Sequence, residues 1–431
     1  MMEEKSYPLL GEKLLTTRLP NGLQVMVQPR PGFTKKLAYF VTDFGAIHTE
    51  FTLDGQDYQV PAGIAHYLEH KLFDMPDRDV TEEFSALGAV PNAFTGYDLT
   101  AYYFSCTENF YESLSLLLEF VSTPYFTEES VAKEQGIIGQ EIDMNADNPD
   151  TRVFERLMQC MYREHPVRVP ILGDRESIAR ITPENLTLCH KAFYHPANML
   201  LCVVGDVDPE RVCALAEKLL PNTPAPRLTV RRQWSEMLTC SQALTREQME
   251  VAMPVFQLGF KCPDPGSGEA SIRQEFIGDL AAEALFGESS PLYLKLYDAG
   301  LIDSSFGGGF ETIEGMAMLS ASGDSPDPIG VQTAILEQAE RLSREGIDRQ
   351  DFLRMLRSAM GRRIRRLDSF DSTAFALCAC YFSGFDFFRF PDIYHTISEE
   401  DIRIFIQQTV CRQNMSLSVI DPLQENEEET L

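Results

Sequence analysis

The sequence predicts an α+β protein with two similar domains, each an antiparallel sheet with helices packed on one face. Its 431 residues exceed what one hydrophobic core usually serves. A phrase of the first half recurs in the second, because Ile397 and Asn414-Met415 stand 216 residues after Ile181 and Asn198-Met199. A proline-rich segment, 221–226, lies between these regions and is typical of a linker.

These observations set the predicted domain boundaries. We expect a first domain over residues 1–220, a linker over 221–236 and a second domain over 237–424. An acidic tail over 425–431 follows, and we expect it to be disordered.

The elements can be assigned in chain order from turn residues and hydrophobic periodicity. Pro20-Asn21-Gly22 predicts a hairpin, since Asn-Gly favours a two-residue turn between strands. The first half further predicts strands at 37–44, 89–106 and 198–205, and helices at 61–73, 80–87, 108–122, 127–142 and 151–162. The second half predicts strands at 251–261 and 304–322, and helices at 271–286, 329–344 and 348–366.

The composition is that of an ordinary globular protein, with 44% hydrophobic and 24% charged residues. A net charge of −28 argues against nucleic acid or an anionic membrane as a partner. The N-terminus lacks the features of a signal peptide, and no run of about eighteen apolar residues could span a bilayer. The ten cysteines form no Cys-x-x-Cys pair, so we expect reduced thiols and a cytoplasmic protein.

The candidate site begins with His66-Tyr-Leu-Glu69-His70. On a helix, which turns about 100° per residue, His70 lies about 40° from His66, and Glu69 about 60° to the other side. Two imidazoles one turn apart can hold zinc, and a carboxylate beside them can take a proton from water at the metal. Two surface histidines and an acid could also fall together by chance, so this H-x-x-E-H pattern requires a third ligand.

A second predicted helix offers two candidates for that ligand. It begins near Thr127, a good N-cap. Glu134 and Glu141 are nearly two turns apart and lie about 20° from each other on the helix, between Ile137 and Ile138. Carboxylates on a core-facing stripe are costly unless they are paired or bind a cation. The pattern therefore favours a metal site over a solvated helix face.

With these residues in place, the sequence resembles the zinc peptidases of the pitrilysin and insulinase family, which carry this inverzincin motif. Further phrases typical of that family are Pro20-Asn21-Gly22-Leu23, Asn92-Ala93-Phe94-Thr95, Thr100-Ala-Tyr102 and His195-Pro-Ala-Asn198-Met199. Phe44-Gly-Ala-Ile-His48 and Lys71-Leu-Phe73 are similar to its bacterial YmfH-like branch. The resemblance is strongest over residues 15–210 and implies two domains like those of LuxS and the mitochondrial processing peptidase.

The resemblance also implies a role for each site residue. One Zn²⁺ per chain would be held by His66, His70 and Glu141, and Glu69 would act as general base. Glu134 would orient one of the metal ligands without binding the metal itself.

Asn92, Ala93, Phe94 and Thr95 resemble the strand with which this family binds an extended peptide through backbone hydrogen bonds. The alternative is a plain edge strand with a polar end. Backbone pairing depends little on side-chain identity, so it predicts no cleavage preference.

The second half lacks the metal-binding residues. At the corresponding positions it has Ala281, Ala284, Leu285, Met355 and Arg362. A degenerate duplicate can still form a wall of the binding chamber, and the resemblance implies that role.

One departure from the family concerns catalysis. Active members usually place an arginine and a tyrosine in the second half to stabilise the tetrahedral intermediate. Here Lys295 stands near the arginine's place, and no tyrosine follows Gly300. Lysine cannot reproduce the planar fork of arginine. We therefore expect a dimer in which a second, non-catalytic insulinase-like subunit completes the site. Lys295 and Tyr297 acting within one chain is the alternative.

Three function classes remain open at this point. The leading prediction is a zinc endopeptidase that acts on a peptide or protein substrate. A scaffold subunit of a processing complex is disfavoured because the metal set is intact, and a zinc hydrolase of a non-peptide amide is compatible with the same site. Zinc content separates the second class from the others, and digestion of a peptide library separates the first from the third.

Overall fold

The computed structural model describes residues 2–76, 78–232 and 234–423, so the predicted acidic tail lies outside the described residues. The chain forms two compact units. The first unit contains residues up to 142 with 170–231 and 362–390, and the second contains 143–169, 232–361 and the residues from 391 onward. Each unit takes segments from both halves of the chain, and the domain boundaries at 220 and 237 stay a prediction.

The described residues contain seventeen strands and fifteen α-helices. The strands are β1 Glu3–Tyr7, β2 Glu12–Arg18, β3 Gln24–Pro29, β4 Lys36–Thr42, β5 Glu50–Leu53, β6 Gln56–Gln59, β7 Asp74–Met75, β8 Arg78–Asp79, β9 Val90–Thr95, β10 Thr100–Cys106, β11 Met199–Gly205, β12 Leu228–Val230, β13 Leu244–Met249, β14 Val255–Cys262, β15 Gly307–Ile313, β16 Met316–Asp324 and β17 Met415–Pro422. The helices are α1 Ile64–Leu72, α2 Val80–Ala86, α3 Phe110–Ser122, α4 Glu128–Ala146, α5 Pro149–Met161, α6 Arg175–Ile178, α7 Pro183–Phe193, α8 Pro209–Leu219, α9 Gly268–Phe286, α10 Pro291–Asp298, α11 Pro328–Glu345, α12 Arg349–Arg366, α13 Phe370–Phe382, α14 Phe390–Tyr394 and α15 Glu399–Thr409.

The first unit is built on a seven-stranded sheet in the order β1-β2-β3-β11-β4-β10-β9. Neighbouring strands are antiparallel except for β3 and β11, which run parallel. The central strand β11 is buried along its whole length, as its uninterrupted apolar sequence predicts. At one edge of the sheet lies β9, paired with β10. Since one side of β9 has no strand beside it in this sheet, its backbone can pair with a further extended chain.

Helices cover both faces of this sheet. α1 packs against β9 and β10, α3 packs against β10 and β4, and α13 packs against β4 and β11. Successive strand residues point to opposite faces, and on β9 Thr95 contacts α1 whereas Phe94 contacts Phe375 of α13. Therefore α13 lies on the face opposite α1. The prediction had helices on one face; a second layer is needed because β4 and β11 are apolar on both sides.

The second unit contains a five-stranded sheet in the order β13-β17-β14-β16-β15, in which β13 and β17 run parallel. Phe310 of β15 lies against α9, where a Cβ on Gly278 would stand 2.2 Å from its ring. Gly259 of β14 belongs to the other row of side chains and leaves room for Met161 of α5. This sheet, too, is covered on both faces.

A buried ion pair between Glu236 and Lys261 lies beside β14 in the second unit. The carboxylate of Glu236 accepts backbone N–H groups from Arg163, Glu164 and His165 at 2.9, 2.6 and 2.8 Å. The ammonium of Lys261 lies 2.6 Å from the same carboxylate, and both side chains are at least nine-tenths buried. Burial opposes ionisation, but the hydrogen bonds from Lys261 and the backbone lower the pKa of Glu236 to about 2.

The repeat is visible in the structure. Capping boxes at Thr182 and Ser398 begin α7 and α15, and the strands that follow begin at Met199 and Met415, in each case 216 residues apart. The predicted α+β fold of two similar sheet-and-helix units is confirmed, with one parallel pair in each main sheet. In the part of the chain that is described, each helix falls short of the length or apolar content that crossing a membrane requires.

Candidate metal centre

The first ligand helix, α1, begins directly after Gly63, which has a φ of 86°. A Cβ at this position would stand 2.3 Å from the carbonyl oxygen of Leu172, so both backbone conformation and space require glycine. Leu68 and Leu72 are fully buried, as the helix periodicity predicts. These apolar contacts fix the rotation of α1 and hence the direction of its polar face.

The second ligand helix, α4, begins with a reciprocal cap in which Thr127 and Ser130 bond each other's backbone N–H groups at 3.1 and 3.2 Å. The Tyr67 hydroxyl donates to the backbone oxygen of Val131 and joins α1 to α4. The predicted apolar stripe is half right: Ile138 is fully buried, whereas Ile137 is 47% exposed. The buried side of α4 is therefore narrower than its sequence suggests.

Three predicted ligands converge on one point. Nε2 of His66 and Nε2 of His70 each lie 3.6 Å from Oε2 of Glu141, and all three donor atoms lie within 4.8 Å of one another. Donors of a tetrahedral zinc site with bonds of about 2.0–2.1 Å are separated by about 3.3–3.4 Å. Two imidazoles and a carboxylate with this spacing fit a zinc ion. No comparable group of three donors lies wholly within the described residues of the second unit.

Glu134 lies behind one of these ligands. Its Oε1 is 3.0 Å from Nδ1 of His70, and its side chain is mostly buried. A carboxylate at this distance favours a proton on Nδ1, which leaves the lone pair on Nε2, the nitrogen that faces Glu141. Nδ1 of His66, by contrast, has no hydrogen-bond partner among the described residues.

Glu69 lies beside the ligand group without belonging to it. Its side chain is buried, and Oε2 accepts a hydrogen bond of 2.6 Å from the Thr95 hydroxyl. Burial raises the pKa of Glu69, although the Thr95 hydrogen bond opposes that shift. A carboxylate with a raised pKa, not used as a ligand, is what a general base requires.

The two histidines differ in their preference for a proton. Burial, with the charge of His70, lowers the pKa of His66 to about 3, so its ring is neutral and able to bind a metal. Burial opposes protonation of His70, but the hydrogen bond to Glu134 and the neighbouring carboxylates raise its pKa. A metal at this site would therefore compete with a proton mainly at His70.

The four residues predicted to bind substrate divide between two faces of β9. Thr95 points towards α1, whereas Phe94 lies 5.8 Å from the ring of Phe375, measured between centroids. The Asn92 side chain accepts the N–H of the adjacent Ala93 at 2.9 Å. Local sequence patterns contain no signal for the contact with Phe375, because it is about 280 residues away in the chain and belongs to the predicted second domain.

Comparison with known proteins agrees with this geometry. Residues 56–175 match the family model described as insulinase, peptidase family M16, and residues 180–358 match the one described as the inactive domain of peptidase M16. An uncharacterized zinc protease, YmfH of Bacillus subtilis, is 36% identical over 98% of this chain and 100% of its own length. The chain belongs to the insulinase family, peptidase family M16.

Further proteins are similar to this chain in sequence or in fold. A zinc protease of Rickettsia felis is 30% identical over 49% of this chain and 50% of its own. The crystal structure of an M16-like peptidase from Alicyclobacillus acidocaldarius superimposes with a TM-score of 0.91, at 33% identity, over 96% of this chain and 99% of that one. Pitrilysin, at 16% identity, has a TM-score of 0.76 over 99% of this chain and 47% of its own, which shows the fold alone.

Proposed function

We propose that this chain is a zinc-dependent endopeptidase that cleaves an extended peptide or protein segment. The observation that carries the proposal is the convergence of His66, His70 and Glu141 on one point beside the buried Glu69. A storage or structural zinc site has no use for a carboxylate that is buried beside the ligands but is not one of them. Membership of the M16 family, whose relatives are named zinc proteases, supports the same conclusion.

Each residue then has a defined role in hydrolysis. His66, His70 and Glu141 would hold one Zn²⁺ per chain, which supplies a Lewis acid that polarises the scissile carbonyl and acidifies water. Glu69 takes the proton of the attacking water and passes it to the departing amine. Glu134 keeps the proton of His70 on Nδ1 and so presents Nε2 to the metal.

The edge strand β9 is the proposed peptide-binding element. An extended peptide can add to its free edge through backbone hydrogen bonds, and this edge ends at Thr95, which contacts the catalytic carboxylate. The peptide bond to be cleaved would thus be held beside the general base. Consecutive strand residues turn their backbone groups in opposite directions, and the N–H of Gly96 bonds to Leu99 on the β10 side. The backbone groups of Ala93 and Thr95 would therefore pair with the peptide, whereas those of Asn92 face β10. Phe94 would border the peptide on the other face of the sheet.

Metal analysis with two variants tests the proposal. We expect His66→Ala to lose stoichiometric zinc, because it removes a ligand, and Glu69→Gln to keep zinc. Turnover of an unstructured peptide mixture, scored by mass spectrometry, should fall by about 10²–10⁴ in Glu69→Gln. Glu82→Gln, the same change at an exposed position of α2, is the matched control.

Three outcomes would contradict the proposal. Glu69→Gln with the turnover of the unchanged protein would refute the mechanism. A chain that binds no zinc would be the scaffold subunit. A chain that binds zinc and hydrolyses only non-peptide amides would be a zinc hydrolase of a non-peptide amide, the third function class.

We further propose that a second insulinase-like subunit completes the site in a dimer. The residues near the family's arginine position offer no obvious substitute: Lys295 is exposed and pairs with Glu337 at 4.0 Å, and Tyr297 is half-exposed and stacks on Tyr293. Loss of one oxyanion donor typically costs about 10²–10³ in turnover. The isolated chain should therefore be weakly active or silent although it holds zinc, and a same-fold partner with an arginine and a tyrosine should restore activity. Full activity alone, lost in Lys295→Ala, would exclude the partner. The scattered cysteines support a reducing compartment, and we keep the cytoplasm as the proposed location.

A further inference from the structure

Thr95 occupies a special place on the proposed peptide-binding strand. It is the last residue of β9, and its side chain points to α1. Its hydroxyl lies 2.6 Å from Oε2 of Glu69. Because an ionised carboxylate can only accept, the hydroxyl donates, and the distance is that of a charge-assisted hydrogen bond.

This contact fixes one half of the Glu69 carboxylate. Among the described residues, no other hydrogen bond reaches this carboxylate, and its side chain is only 8% exposed. Holding Oε2 selects one rotamer and leaves Oε1 for the attacking water. A general base must stand within hydrogen-bond distance of the proton that it takes, so a misplaced carboxylate loses rate even though its chemistry is unchanged.

We propose that Thr95 is a positioning residue for Glu69: its side chain orients the carboxylate and is not the substrate contact that the sequence predicts. It couples the two parts of the site, because the strand that pairs with the peptide also carries the hydroxyl that orients the base. This inference rests on the proposed peptidase function. It adds that the reaction depends on a hydroxyl that acts through the proposed general base.

Two substitutions at one position separate the hydroxyl from the shape of the side chain. Thr95→Val keeps the β-branched shape and removes the donor, whereas Thr95→Ser keeps the donor. We expect Thr95→Val to lower kcat by about 10- to 100-fold, the value of a hydrogen bond to a charged group, with KM and zinc content unchanged. Thr95→Ser should recover most of kcat.

Thr52→Val is the matched control, because Thr52 also donates to a carboxylate, that of Asp57 at 2.5 Å, on the exposed hairpin of β5 and β6. It should leave kcat unchanged. If Thr95→Val instead raises KM at constant kcat, Thr95 is a substrate contact. If Thr95→Ser fails to recover kcat while folding and binding zinc normally, the hydroxyl is not what matters. Either result overturns the inference.

A second measurement decides the inference without turnover. In crystal structures of the unchanged protein and Thr95→Ser, the Glu69 carboxylate should occupy the position described above. In Thr95→Val it should leave that position or divide between rotamers. An unmoved carboxylate in Thr95→Val would refute the inference even if the enzyme is active. An unchanged protein that cleaves no peptide even with a same-fold partner added would refute the proposed function, whereas the position of Glu69 would still decide the role of Thr95.

Discussion

Removal of the carboxylate behind His70 should weaken zinc binding by an amount that the structure sets. The perturbation is Glu134→Gln, which keeps the shape and an oxygen acceptor, and Glu134→Ala, which removes both. In the structure Oε1 of Glu134 lies 3.0 Å from Nδ1 of His70, and both side chains are largely shielded from water. The ring that this contact orients supplies one of the three proposed zinc ligands.

The expected magnitude follows from the strength of this contact. Loss of a hydrogen-bonding partner behind a metal ligand typically costs 10- to 100-fold in metal affinity, about 1.4–2.7 kcal/mol. Because Glu134 is mostly buried and its hydrogen bond is charge-assisted, Glu134→Ala should lie near the upper limit. Glu134→Gln should lie near the lower limit, since its amide oxygen can still accept from Nδ1.

The assay is competition for zinc with a chelator of known affinity at fixed pH. Glu129→Gln, an exposed position in the first turn of the same helix, is the matched control and should leave the dissociation constant unchanged. Glu141→Gln should lose far more affinity than Glu134→Gln, because it changes a proposed ligand. Unchanged affinity in both Glu134 variants would refute the reasoning. If Glu134→Gln lost more zinc affinity than Glu141→Gln, Glu134 would be the ligand.

Two further predictions concern stability. Glu236→Ala removes one partner of a buried ion pair and should lower the free energy of unfolding, measured in urea, by about 3–5 kcal/mol. Arg246→Ala, which removes one partner of an exposed ion pair, is the control and should lower it by about 0–1 kcal/mol. Since the folded pKa of Glu236 is lowered to about 2, its contribution is complete above about pH 4.5 and is lost as the pH falls towards 2. Glu236→Gln should therefore flatten the decline of stability in that range, and an unchanged slope would contradict the assignment. Gly63→Ala should lower the melting temperature, because residue 63 has a φ of 86° and a Cβ there would meet the backbone oxygen of Leu172. Gly136→Ala, in α4 with open space around the new Cβ, is the control and should not lower it. Equal changes in melting temperature for the two variants would refute this prediction.

The sequence predicts those parts of the site that depend on local periodicity. The positions of His66, Glu69 and His70 on α1, and of Glu134 and Glu141 on α4, follow from 3.6 residues per turn, and the structure brings the expected side chains together. Contacts between distant segments do not follow in this way. The hydrogen-bond partner of Glu69 is Thr95, whose side chain points from β9 towards α1. Sequence spacing alone does not predict this contact.

The exposed Ile137 and the buried α13 illustrate the same limit. A helix wheel finds the centre of an apolar stripe, but the width that is covered depends on which neighbour packs there. No element is predicted from the sequence for residues 370–382, and no local signal indicates which sheet a helix there would cover. Proximity in the chain suggests the second half, whereas α13 packs on strands of the first unit.

The placement of α13 bears on when the protein can first act during its synthesis. The unit that carries the candidate metal centre needs residues 370–382 to cover one face of its sheet, and these are translated about 230 residues after Glu141, the last of the three candidate ligands. Until then β4 and β11 expose apolar side chains to water, and the helices that carry the candidate ligands pack on an incomplete hydrophobic core. A nascent chain therefore carries the whole H-x-x-E-H motif long before it has a rigid site. The order of translation therefore delays assembly of the candidate metal centre until α13 has been made.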